Sequence, residues 1–144
     1  MASFSKQVAD ANKRNLERIA AARRRAVTLL ADEMTRTKPQ GGRVPFLTGT
    51  LARSLVASVS GMPKTSAVPT PAAPVGLTVI GLPANQPVWL GYTVRYARRR
   101  NYGFIGADSL GRVYNEAGDY FVEGAMAEWP RIVRQAVQEV RRGS

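Results

Sequence analysis

Pro45-Phe46-Leu47-Thr48-Gly49-Thr50-Leu51-Ala52-Arg53-Ser54-Leu55 is the stretch in which the chain passes from helical to extended periodicity. Pro45 fixes its own φ and drives Val44 towards an extended conformation. Thr48 or Thr50 offers a hydroxyl to an orphan amide of a short helix, and Gly49 permits a tight entry into that turn. After Arg53 and Ser54, the run Leu55-Val56-Ala57-Ser58-Val59-Ser60 alternates as a half-buried strand does. The stretch reads as a connector from helix to sheet, which sets the class as α+β.

On its N-terminal side, residues 1–36 hold one long amphipathic helix, patterned from residue 4 onwards. Phe4, Val8, Ala11, Leu16, Ile19, Ala22, Ala26, Leu30 and Met34 recur at helical spacing, with Lys and Arg on the other faces. About 30 helical residues span about 45 Å, longer than a core of this size requires, so one end is expected to extend beyond its own domain onto a neighbouring subunit. Thr37-Lys38-Pro39-Gln40-Gly41-Gly42 stops the helix.

On the C-terminal side, residues 61–74 form a Pro-, Ala- and Thr-rich segment with few anchoring hydrophobics. It reads as a long flexible loop between strands. Residues 75–82 and 88–96 read as a second and a third strand, turned by Pro83-Ala84-Asn85-Gln86-Pro87, with Trp89, Tyr92 and Tyr96 as sheet packing. Residues 103–118 are irregular, with a small hairpin around Ser109-Leu110-Gly111. Asp119 opens a C-terminal helix with Val122, Ala125, Trp129, Val133, Ala136 and Val140 on one face. Pro130 predicts a kink near Met126, because it removes a helical hydrogen bond and clashes with the preceding turn. The expected architecture for residues 1–144 is one domain. It has a long N-terminal helix, a small antiparallel or mixed sheet of three to four strands, and a kinked C-terminal helix packed on that sheet.

The chain contains no Cys and no His, which excludes zinc sites of the usual kind and His-based nucleophile triads. Glu116, Asp119 and Glu123 cluster where a helix begins, and the helix dipole accounts for them without catalysis. Asp32 and Glu33 are adjacent on a helix and cannot face each other. The expectation is a protein that is not an enzyme, with no catalytic, cofactor-binding or metal-binding residues and no cofactor. No apolar run approaches the roughly 20 residues of a membrane helix, and the first residues lack the apolar core of a signal peptide, so use in the cytoplasm is expected and a membrane partner is not.

The net charge is +11, from 21 Lys and Arg against 10 Asp and Glu, and Arg predominates. An Arg-rich balance of this kind implies an anionic partner, either nucleic acid or an acidic protein surface, and the composition leaves both open. Two triplets are the candidate contacts. Arg23, Arg24 and Arg25 spread over most of a helix circumference, so only part of the triplet can face one partner. Arg98, Arg99 and Arg100 lie between Tyr96 and Tyr102, an interleaving of basic and aromatic residues that could hold a phosphate backbone while rings stack on bases. No recognised nucleic-acid-binding motif accompanies them.

The connector resembles the Pro-x-x-Thr-Gly-x-Leu-x-Arg-x-Ser element of a minor tail, or tail-completion, family of long-tailed bacteriophages, on Pro45, Thr48, Gly49, Leu51, Arg53 and Ser54. The order of parts is similar too: a long helix, this element, a small sheet, Tyr96-Ala97 with Gly103, and a C-terminal helix around Trp129. Two positions depart from the family pattern, which usually has an Asp where this chain has Leu47 and often a Glu where it has Asn101. The resemblance implies a structural virion protein, assembled in the host cytoplasm and located in the neck or tail. It implies a closed ring at the head–tail junction or head-proximal tail end, six-fold or alternatively twelve-fold, bound to neighbouring neck and tail proteins. In that setting the Arg triplets would meet acidic neighbours or passing DNA. The alternative from composition is a small basic nucleic-acid-binding protein.

Overall fold

The computed structural model describes residues 3–66 and 74–143. Helix α1 (Phe4–Thr35) is its axis, begun by Ser3, whose hydroxyl accepts the Lys6 amide, and ended where Arg36 turns extended. The short helix α2 (Thr50–Arg53) leads into strand β1 (Leu55–Ser58). Next come α3 (Val75–Val79), β2 (Trp89–Tyr92), α4 (Ala97–Tyr102), β3 (Gly103–Ala107), β4 (Val113–Ala117), α5 (Phe121–Ala127) and α6 (Trp129–Arg142).

The class is α+β, as expected, but the strands form two antiparallel pairs and no larger sheet among the described residues. β1 pairs with β2, Leu55 opposite Tyr92 and Ser58 opposite Trp89. β3 pairs with β4, Gly103 opposite Ala117 and Ala107 opposite Val113, closing the hairpin expected around Ser109-Leu110-Gly111.

The expected second strand at 75–82 is instead the single-turn helix α3. A short apolar run fits either period, and packing decides between them. Helical spacing brings Val75 and Val79 to one side, where they join Val27, Leu82, Val88 and Leu90, while Leu77 and Ile80 are left exposed. The expected third strand at 88–96 is shortened to β2. Beyond it, Thr93 hydrogen-bonds Ser54, Tyr96 is exposed, and α4 begins at Ala97. Of the Pro-rich segment, residues 61–66 and 74 are described, with Ser66 bridging to Val94; the expectation for residues 67–73 lies outside the described residues.

The kink at Pro130 is present as a break at Glu128, with the proline in the first turn of α6, where its missing N–H costs nothing. The two pieces dock differently from expectation. α6 runs along α1, packing Ile132 and Ala136 against Ala26, and does not lie on a sheet. α5 meets β2 through Phe121, which is fully buried and edge-on to Tyr92 at 5.2 Å between ring centroids. Trp129, expected on the apolar face of the C-terminal helix, is 38% exposed. Ala-rich contact faces let α1 and α6 approach closely, so shape matters here more than side-chain volume.

Candidate functional site

The connector residues converge on one buried junction. Leu51 and Ala52 pack with Val44, Val94, Ala97 and Phe121, joining the connector, the end of β2, α4 and α5 in one cluster. Ser54 is buried; its hydroxyl donates to the Leu51 carbonyl at 2.8 Å, and its own carbonyl accepts from the Thr93 amide and hydroxyl. Gly49 has φ +80°, a conformation that strains L side chains, and a Cβ there would run into the Arg53 guanidinium. That guanidinium donates to the Thr48 carbonyl at 2.9 Å, clamping the turn. Neither threonine caps α2 as expected: Gly49 is the N-cap, and the Thr48 and Thr50 hydroxyls bond each other instead. Gly103, at φ +82°, presses against the Glu116 carbonyl and the backbone of Gly118, so a side chain would force α4 and β4 apart. Pro45 is half-buried beside the junction, and Tyr96 faces solvent. Most of these positions thus serve the junction itself.

The arginine triplets are largely engaged inside the fold. Arg23 and Arg24 donate to the carbonyls of Pro83 and Leu82, tying α1 to the turn before β2. Arg25 pairs with Glu139 on α6, which holds that carboxyl below the usual carboxylate range. Arg99 makes a two-pronged pair with Glu116 at 2.7 and 2.9 Å and stacks over the rings of Phe104 and Tyr114, fastening α4 to the β3–β4 hairpin. Arg100 pairs with Asp119, which also holds Lys38. Arg98 alone of the six shows neither an ion pair nor a hydrogen bond among the described residues, although its charge acts on Tyr102. The sequence displayed the charge of these triplets but not their partners within the fold, which lie 17 to 114 residues away.

Two polar devices had little sequence signal. Glu33 is buried and receives Arg36, Arg43 and Arg131; Glu128 receives Arg43 and Arg131 and is held below the ordinary carboxylate range, chiefly by the hydrogen bond from Arg131. The i,i+3 pairs Glu33–Arg36 and Glu128–Arg131 were readable on their helices; their union was not. Asn101 is buried, donates to the Glu123 carboxylate and accepts the Val122 amide, a free first-turn amide of α5. Only a side chain that both donates and accepts can do this, so Asn suits the position.

An open cleft of about 910 Å³ lies between the C-terminal half of α1, the connector and α3. Its wall is mainly apolar, from Ala31, Phe46, Ala52, Leu55, Pro74 and Val75, and Asp32 and Arg53 bring the charges. Among the described residues no group of three or more His, Cys, Asp or Glu could hold a metal ion, and no helix is long and apolar enough to cross a membrane.

The N-terminal half of α1 stands apart from all of this. From Ser3 to Ile19 every residue but Ala11 is exposed, including Phe4 at 81%, Leu16 at 58% and Ile19 at 55%. Burial begins at Ala20. The helix leaves the body as a rod of 16 residues, about 24 Å at 1.5 Å per residue.

Comparisons with family models, with curated proteins and with solved structures find no match to this chain.

Proposed function

We propose that this chain is a non-catalytic structural protein of a tailed bacteriophage, whose copies associate into a closed ring at the head–tail junction or the head-proximal end of the tail. The observation that carries the reading is the α1 rod: a folded body extends an apolar-striped helix that the described residues of its own chain leave uncovered. Exposed apolar surface arranged in this way belongs to interaction sites. A heterologous contact between identical copies closes into a ring when its rotation allows. The resemblance of the connector and of the order of parts to tail-completion proteins supplies the phage setting, the virion neck or tail as location, neighbouring neck and tail proteins as partners, and six-fold symmetry with twelve as the alternative.

The competing reading, a basic nucleic-acid-binding protein, rests on the net charge of +11. Its candidate residues favour it less than their number suggests, since Arg23, Arg24, Arg25, Arg99 and Arg100 already have partners within the fold. In the ring, DNA contact would be incidental and electrostatic.

Immunogold electron microscopy of phage particles from the source culture, with antibody against this chain, tests the proposal. Label at the neck or tail end is expected. Unlabelled particles, together with saturable DNA binding whose affinity falls steeply with salt, would replace it with the nucleic-acid reading.

A further inference from the structure

We propose that the exposed rod of α1 docks into the cleft beside α1 of a second copy of this chain, helix into groove. The inference rests on the reading that copies associate, and it names both surfaces of the contact.

Three observations converge on this pairing. The apolar residues of the rod, Val8, Leu16 and Ile19, continue the helix face that Ala26, Leu30 and Met34 present to the body, and nothing in the described chain covers them. A helix that carries an apolar stripe seeks a groove of this kind, with side chains three and four residues apart as anchors. The cleft offers an apolar wall long enough for two helical turns, Thr28 to Thr35 on one side and the connector on the other, with the exposed side chain of Phe46 at the connector and Val75 on α3.

The occupant has to come from another copy. The rod and the cleft wall are parts of one unbroken helix, and Ile19 precedes Thr28 by nine residues, about 13 Å of rigid rise. The rod therefore points away from its own cleft and cannot fold back without breaking α1.

Charge agrees. Asp32 stands on the cleft wall, and among the described residues it is the one carboxylate outside the rod with no ion pair or side-chain hydrogen bond. The rod carries Lys6, Lys13, Arg14 and Arg18, cations with no ion pair among the described residues, beside Asp10 and Glu17. Arg53 on the same wall is held at the Thr48 carbonyl, and Asp32 also feels the charge of Arg25. A basic rod edge entering the groove therefore gains a modest attraction at Asp32 beside its apolar burial.

The absence of cysteine makes the test clean. One full-length variant carries Val8→Cys and another Thr28→Cys or Thr50→Cys; they are mixed and treated with a short bis-maleimide, while light scattering measures the mass of the unmodified protein. Expected are a defined oligomer and a crosslink between the two variants. Val8→Asp with Leu16→Asp should weaken association on the order of 100-fold, since each buried aliphatic side chain accounts for roughly tenfold in affinity. The thermal melt of the monomer should not change, because both positions are exposed. Asp32→Lys should weaken association as well. An oligomer that forms without the crosslink and survives the Asp substitutions overturns the rod-in-cleft contact while leaving ring assembly standing. A crosslinked reciprocal dimer keeps the contact and overturns the ring. A protein that stays monomeric at all concentrations overturns both.

Discussion

The two halves of α1 share one apolar periodicity and meet opposite fates. Phe4 to Ile19 and Ala20 to Thr35 share helical apolar spacing and several basic residues, Ala being concentrated in the second, yet the second half is covered by α3, α5 and α6 and the first by nothing within the described chain. Periodicity tells which face of a helix is apolar; it does not tell what will cover it. The covered half stands on long-range contacts, Arg23 and Arg24 to the turn at Leu82 and Pro83, Arg25 to Glu139, Ala26 to Ile132. The uncovered half stands mainly on helix propensity and the Ser3 cap, which is marginal in water for a segment of this length.

The largest expected effect lies in the body of the fold, at the cluster around Phe121. Phe121→Ala removes a fully buried ring from its edge contact with Tyr92 and should cost about 3–5 kcal/mol in chemical denaturation. The same kind of truncation on the rod, Phe4→Ala, should change the stability of the monomer by less than about 0.5 kcal/mol. If both substitutions cost the same, the rod is packed in solution and the contrast between the halves fails.

Asn101→Asp comes next. It would set a second carboxylate against Glu123 and remove the donated hydrogen bonds, costing about 2–3 kcal/mol at neutral pH. Part of that loss should return as the pH falls and one of the two carboxyls takes up a proton, so melts at pH 7 and pH 5 should converge towards the parent. A penalty independent of pH would mean that the two groups do not face each other in solution.

Val27→Ala against Val8→Ala sharpens the comparison on one residue type. The buried Val27 should lose roughly 2 kcal/mol, from two methyl groups and the space they leave, and the exposed Val8 close to nothing. Amide exchange gives the same contrast without mutation. Protection should be high from Ala20 to Thr35 and low from Phe4 to Ile19 in the monomer, and it should rise on the rod when copies associate.

The smallest effect concerns pH. Glu139, Glu116 and Glu128 are held below the ordinary carboxylate range, first by hydrogen bonds from Arg25, Arg99 and Arg131 respectively. A depressed folded-state pKa adds stability that is complete above the unfolded value, about 4.3 for Glu, and fades as the pH falls through the folded values. Acid melts should therefore show the loss below about pH 4, and high salt should shrink it, because these pairs lie at the surface. The rod, with no such pair among the described residues, should contribute none of it.

Several features were legible in the chain before any tertiary information. The breaker run after Thr35 ended α1; Gly49 permitted a tight turn; Pro130 predicted a kink; Ser109-Leu110-Gly111 marked a hairpin. Each depends on chemistry within a few residues: a cap, a missing N–H, a Cβ that does not fit. The tertiary structure decided what local chemistry left degenerate. It made Val75–Val79 a helix, because Val27 and Leu90 needed Val75 and Val79 on one side, and it split the strands into two pairs. It also joined acids and arginines as much as 114 residues apart, turning a +11 chain's most basic clusters into internal ties. Contacts that distant are set by how the elements pack, and spacing along a chain carries no record of them.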